Sequence, residues 1–294
     1  MWLVTAFLYY LLILPISLLP LRALHRISDG LYYLIYYGIG YRKKVVRENL
    51  RRSFPEKSST ELSAIEKQFF RHFCDLVVES LKMFTVSKEK INQMITFLNP
   101  ELLDPYFKAG RNVILCGGHF NNWEVYAVGS PFGSRHQPFG VYKPLQNKWF
   151  DKMMRKTRGK FGLGLISMAE ARSIFLGQVT QKPWLTILGM DQSPGSAERA
   201  YWMEFLHQDT AVFFGPEKYA RDINAVVVFG CISRVQRGTY TFEYRLISDH
   251  PNDEPKGYII ETAMHMLERD IQEHPAWWLW SHKRWKLKRP IHDK

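Results

Sequence analysis

Leu115-Cys116-Gly117-Gly118-His119-Phe120-Asn121-Asn122-Trp123-Glu124 is the stretch on which the fold reading turns. An apolar run ends in two glycines, followed by a histidine, two asparagines and a carboxylate. Residues 113–116 read as a strand, the glycines as the turn that ends it, and Asn121 or Asn122 as the N-cap of a helix. A histidine at the mouth of a strand, with an acid a few residues on, suits a general base held by a carboxylate. Such a pair takes a proton from a hydroxyl that must become a nucleophile. A structural, hydrogen-bonded histidine fits the same local pattern.

Spacing alone decides nothing. With 10 histidines and 28 acids, a second histidine with an acid five residues on is unsurprising, and His265 with Asp270 is one. That pair lies in residues 257–273, where Ile260, Ala263, Met264, Leu267 and Ile271 form an apolar stripe at helical spacing. Five residues along a helix turn roughly 500°, about 140° off the same face. His265 and Asp270 are therefore not expected to pair, and both are placed on the solvated side. His119 would precede its helix, leaving the turn free to bring it back over Glu124.

Working outward, strands and helices alternate. Strands are expected at residues 113–116, 137–142, 165–166, 184–190, 225–232 and 240–247. Helices are expected at 42–54, 59–83 (capped by Ser59 or Thr60), from Trp123, and at 148–158, 168–177, 217–223 and 257–273. This is the pattern of a sheet covered by helices, an α/β fold. Open α/β sheets place ligands beyond the carboxyl ends of their strands. His119, Lys143 and Asp191 all follow expected strands and are predicted to converge on one cleft.

The chain has 294 residues, 46% of them hydrophobic, enough for a full core. Its three cysteines, Cys74, Cys116 and Cys231, have neither disulfide-framework nor metal-ligand spacing. Gly159, Gly162 and Gly164 lack the strand-turn-helix context of a dinucleotide fingerprint. Most of the +12 net charge sits in residues 42–52 and 283–294. Residues 2–21 carry no charge and are long enough to cross a bilayer, with Pro15 and Pro20 leaving re-entrant insertion open. Arg22, His25, Arg26 and Arg42-Lys43-Lys44 follow, which places the remainder in the cytoplasm. Residues 31–41, with five tyrosines, read as an interfacial segment. The expected division is thus an anchor over 1–41 and a catalytic domain over 42–294. The apolar start favours anionic lipid over nucleic acid as the partner of the basic face.

Six ordered blocks carry a resemblance. They are Arg42-Lys43-Lys44-Val45-Val46-Arg47-Glu48-Asn49-Leu50 with Phe54-Pro55; Gly118-His119 with Glu124; Val141-Tyr142-Lys143-Pro144-Leu145 with Asn147; Asp191-Gln192; Phe214-Gly215-Pro216 with Ala220-Arg221; and the tryptophan-rich end from Pro275 to Lys286. The chain resembles the bacterial lipid A late acyltransferases, within the lysophospholipid acyltransferase superfamily. That resemblance implies a mixed sheet flanked by helices, of glycerol-3-phosphate acyltransferase type, and an enzyme of the bacterial inner membrane facing the cytoplasm.

The implied reaction moves an acyl chain from acyl carrier protein to a hydroxyl of a lipid A precursor, with His119 as base and Glu124 orienting it. Neither a metal nor another cofactor is called for. Lys143, Asn147, Asp191 and Gln192 fall on the substrate side of the motif blocks. Arg42, Lys43, Lys44, Arg47, Lys283, Arg284 and Trp285 are the expected surface for membrane or carrier protein. Lys143 stands where the family usually has arginine, which keeps the charge but loses the bidentate fork. Other acceptors remain open at this stage, namely a lysophospholipid, an aminolipid or another glycolipid, as does a non-catalytic membrane scaffold. Cys116 beside the histidine also raises a Cys-His nucleophile, although a small residue before a glycine turn suits packing.

Overall fold

The computed structural model describes residues 2–177 and 182–290. Its strands are β1 (Ile95–Phe97), β2 (Val113–Gly117), β3 (Gln137–Tyr142), β4 (Gly164–Ser167), β5 (Trp184–Gly189), β6 (Tyr201–Phe205), β7 (Gln208–Val212), β8 (Val226–Gln236) and β9 (Thr239–Ser248). Seven form one sheet in the order β1-β9-β8-β2-β5-β3-β4, and β6 pairs with β7 apart from it. Within the large sheet only β8 and β9 are antiparallel.

Burial explains the layering. Along β2, Ile114 and Cys116 face one apolar cluster, which includes Phe69, Phe70 and Cys74 of the helix Ser59–Lys82 and Ile260, Met264 and Leu267 of the helix Tyr258–Glu273. Val113 and Leu115 face the other cluster, with Val125 and Val128 of the helix Trp123–Gly129. Val227 and Phe229 in β8 take the first side, Val226 and Val228 the second. The two-residue period therefore fills both faces of a mostly parallel sheet, as crossover connections require.

All six expected strands form, and the helix Lys148–Arg158 has the expected bounds. The helix Ser59–Lys82 is capped one residue earlier than predicted. Ser58 Oγ accepts the Glu61 N–H at 3.3 Å while the Glu61 carboxylate accepts the Ser58 N–H at 2.8 Å, a reciprocal capping box. β1 and the β6–β7 hairpin carry no strong sequence signal. β1 has three residues, and the hairpin turns through Leu206 and His207 at φ 50° and 61°, where the expected residues are glycine or asparagine. His265 is exposed and unpaired with Asp270, as expected, but Asp270 is buried and takes Arg245 Nη1 at 3.2 Å.

The apolar start does not form one long helix. Trp2–Leu8 is α-helical, Tyr9–Ile13 π-helical and Leu14–Leu18 α-helical; the chain then extends at Leu19 and Pro20, with ψ 148° and 151°. Pro20 has no N–H to continue the ladder and pushes the residue before it out of the helical region. Among the described residues no helix is long and apolar enough to cross a membrane. The expected span is therefore replaced by a segment held against the domain. The carbonyls of Ser17 and Leu19 each accept Lys82 Nζ at 3.0 Å, and Thr5 Oγ1 meets Asn147 Nδ2 at 2.7 Å. The next helix, Leu21–Tyr33, docks through His25 Nε2 to Glu79 at 2.9 Å and Ser28 Oγ to Asp75 at 2.7 Å. Leu3, Phe7, Leu11, Leu18, Tyr33, Tyr37 and Ile39 stay exposed on this segment.

Candidate active site

β2, β5 and β3 are parallel neighbours, so their carboxyl ends open on one edge of the sheet. His119 follows β2, Asp191 follows β5 and Lys143 follows β3. Two of the three meet. His119 Nδ1 lies 2.7 Å from Asp191 Oδ1, and the His119 backbone N–H donates to Asp191 Oδ2 at 2.7 Å. Trp278 Nε1 donates to the same Oδ2 at 2.8 Å, so both oxygens of a fully buried carboxylate are engaged.

The turn that delivers His119 is built for close approach. A Cβ on Gly118 would stand 2.8 Å from the Leu267 side chain and 3.3 Å from Asp191 Oδ2, so any other residue would displace Leu267 and crowd the carboxylate. Asn121 adopts the left-handed region, φ 52°, which asparagine tolerates. Its Nδ2 donates to the Ile232 carbonyl at 2.7 Å and its backbone N–H to the Trp277 carbonyl at 2.9 Å. The Leu279 N–H closes on the His119 carbonyl at 3.1 Å, clamping the turn with the C-terminal segment. Asn122 is the helix cap, its Oδ1 accepting the Val125 N–H at 3.0 Å. Glu79 receives Asn122 Nδ2 at 2.6 Å and Tyr240 Oη at 2.7 Å.

Electrostatics favour a proton-accepting imidazole. Burial opposes charge on His119, but the Asp191 charge and hydrogen bond outweigh it, and the imidazole sits above its ordinary value. Burial pushes Asp191 up; the His119 charge and hydrogen bonds, with Trp278, pull it down to about 2. An ionised carboxylate accepts only, so the imidazole proton must lie on Nδ1 and the lone pair on Nε2. Gln192 Nε2 lies 3.2 Å from that Nε2. His119 keeps a quarter of its side chain exposed. The arrangement can take a proton from a hydroxyl at Nε2.

Glu124 does not hold His119. It accepts Arg158 Nε at 3.0 Å and Arg158 Nη2, a two-pronged ion pair that is largely buried. The guanidinium offers two parallel donors and a permanent charge, which an imidazole cannot match, and Asp191 already fills the Nδ1 side. Glu124 still acts on His119 through space, favouring its protonation, while Arg158 opposes it. Arg158 was not singled out in sequence because it is one of several cations on its helix.

The other expected contacts divide. Lys143 lies on the same edge with an exposed side chain, does not touch His119 or Asp191, and has no hydrogen-bond partner among the described residues. Asn147 caps the helix Lys148–Arg158, its Oδ1 accepting the Phe150 N–H at 3.1 Å, and its amide goes to Thr5. Arg42 Nη1 donates to the Ser281 carbonyl at 2.9 Å, Lys43 Nζ sits 3.7 Å from the Tyr36 ring centre, and Arg47 Nε pairs with Glu66 at 2.7 Å. Lys44 and Lys283 are exposed. Arg284 is not a surface residue at all: it is 1% exposed. Trp285 turns inward, donating Nε1 to Thr210 Oγ1 at 2.7 Å. Residues 291–294 of the basic tail lie outside the described residues.

Cys116 is fully buried, and burial, then the nearby Glu217, pushes its thiol up to about 12. A thiol that stays protonated is a poor nucleophile. Cys116→Ala is expected to keep most of the wild-type turnover in a steady-state assay; loss of all activity in a folded variant would restore the cysteine reading.

A histidine held by a buried aspartate, at the carboxyl edge of a parallel sheet, is an arrangement able to accept a proton from a hydroxyl. Residues 1–287 match the family described as bacterial lipid A biosynthesis acyltransferase, and the chain belongs to that family. Its class of activity is therefore acyl transfer in lipid A synthesis, onto a lipid acceptor. Comparison with curated proteins gave no match.

Proposed function

We propose that the protein moves a fatty acyl chain from the thioester of acyl carrier protein to a hydroxyl of a lipid A precursor, with His119 as general base. The contact between His119 and Asp191 carries this reading. His119 Nε2 takes the hydroxyl proton as the oxygen attacks the thioester carbonyl, forming the new C–O bond. The tetrahedral intermediate then collapses, the C–S bond breaks, and the imidazolium returns the proton to the leaving thiolate. Asp191 fixes the tautomer and supports the imidazolium. The amide of Gln192 and the Arg158 guanidinium are the donors we assign to the developing oxyanion. Glu124 holds Arg158 in place for that task.

A cavity of ≈ 300 Å³ beside the helix Lys148–Arg158 is lined by Lys152, Arg155, Lys156, Leu163 and Leu165. These cations, together with Lys143, suit the phosphates of an anionic acceptor. The exposed apolar side chains of residues 3–39 suit insertion into one face of a bilayer, lying in the interface with the catalytic part on the cytoplasmic side of the inner membrane. Phe7→Asp with Leu11→Asp is expected to weaken sedimentation with anionic vesicles by about tenfold; unchanged binding would remove this segment from the membrane contact.

Mass spectrometry of lipid A and of total polar lipids, from cells with and without the gene, tests the substrate. One acyl group missing from lipid A is the expected result. A change confined to other lipids would sink the lipid A acceptor while sparing acyl transfer.

A further inference from the structure

Arg284 is a buried charge with no part in the acyl transfer itself. It is 1% exposed, and none of its three nitrogens has a hydrogen-bond partner among the described residues. A guanidinium removed from water with unmatched N–H donors carries a large desolvation penalty, and the surrounding fold must hold it there. Such unfavourable arrangements concentrate where function requires them.

Its neighbourhood is the back of the His119 site. Arg284 belongs to the C-terminal segment whose Trp278 donates to Asp191, and whose His282 accepts the Ser193 N–H at 3.2 Å, two residues beyond Asp191. Asp191 is the negative charge that acts on Arg284. Both Asp191 oxygens are already engaged by His119 and Trp278, and the guanidinium acts on this carboxylate through space without a hydrogen bond to it.

We propose that Arg284 is a positioning residue whose buried charge offsets that of Asp191 and so keeps His119 free of a second proton, without touching substrate. The inference rests on His119 being the base. With His119 neutral, Asp191 is balanced by Arg284, and Glu124 by Arg158. Without Arg284 the site holds one excess negative charge, and His119 binds its proton more tightly. The charged and titratable groups that bear on His119 are Asp191 behind it, Glu124 and Arg158 on the two flanking helices, and His282 in the C-terminal turn. Arg284 and Lys286 act on His282 in turn, and burial together with Arg284 holds His282 below its ordinary value. Arg284 itself is lowered to about 10 by burial, against the pull of Asp191, and stays charged at neutral pH.

The test compares Arg284→Met and Arg284→Lys in the full-length protein, reading melting temperature and the pH profile of kcat/KM with acyl carrier protein thioester and a lipid A precursor. Arg284→Met is expected to stay folded, because methionine fills similar volume and no hydrogen bond of the guanidinium is lost. Its acid limb is expected to move up by about half a pH unit or more, with a several-fold loss of rate at pH 6. Arg284→Lys, which keeps the charge, is expected to return the limb toward wild type. A wild-type limb in folded Arg284→Met, or in Arg284→Gln should the methionine variant fail to fold, would assign Arg284 to structure alone and overturn the proposal. His119→Ala separates the two levels. If that variant is inactive and the limb in Arg284→Met is unmoved, only the role of Arg284 fails; if His119→Ala is active, the base assignment fails first.

Discussion

Asp191→Asn is expected to lower kcat by about 10³- to 10⁴-fold while the protein stays folded. The magnitude comes from the tautomer. Asp191 accepts from His119 Nδ1 at 2.7 Å, which places the proton there and leaves Nε2 with its lone pair. Asparagine offers an N–H₂ group in the same place, and the imidazole then turns its proton to Nε2, where the base must be free. The imidazolium also loses the charge that stabilises it. Initial rates of acyl transfer, read beside a melting curve, check this. A folded Asp191→Asn enzyme within tenfold of wild type would mean that Asp191 is a packing residue and that another group supports His119.

Arg158→Met is expected to cost about 3 kcal/mol of stability, because it strands the Glu124 carboxylate in a largely buried position. The same change removes a positive charge that opposes protonation of His119, so the acid limb of the rate profile moves to higher pH. Glu124→Gln combined with Arg158→Met should recover most of the stability, since neither charge is left alone, but not the activity. Chemical denaturation of the two variants gives the first comparison, and their pH profiles the second. Full activity in the folded double variant would reduce this ion pair to a structural prop and remove Arg158 from the oxyanion.

What was legible in the sequence follows physical range. The strand-turn-helix at His119 was legible because its signals are local: an apolar run, two glycines and an asparagine that caps. Nearly all larger elements were found the same way. The partner of His119 is not legible locally, because Glu124 is near in sequence whereas Asp191 is near only once β5 lies beside β2. The Glu79, Asp75 and His72 side chains of the helix Ser59–Lys82 are buried among its apolar residues, and no hydrophobic period announces buried charge. The same holds for Arg284. A cationic run at a chain end looks like a solvated face, and only the packed C-terminal turn draws one of its members inside. In residues 2–21 the prolines signal a break in the apolar run, but nothing local shows that Lys82 takes the carbonyls freed there.

The most direct measurement is acyl transfer by purified His119→Ala. Wild-type protein in vesicles, given acyl carrier protein thioester and a lipid A precursor, should add the mass of one acyl group with loss of one thioester per turn, read by mass spectrometry. His119→Ala, folded and bound to the same vesicles, should form product at least about 10³-fold more slowly. Product formed at the wild-type rate would contradict His119 as the base and, with it, the assigned roles of Asp191 and Arg284.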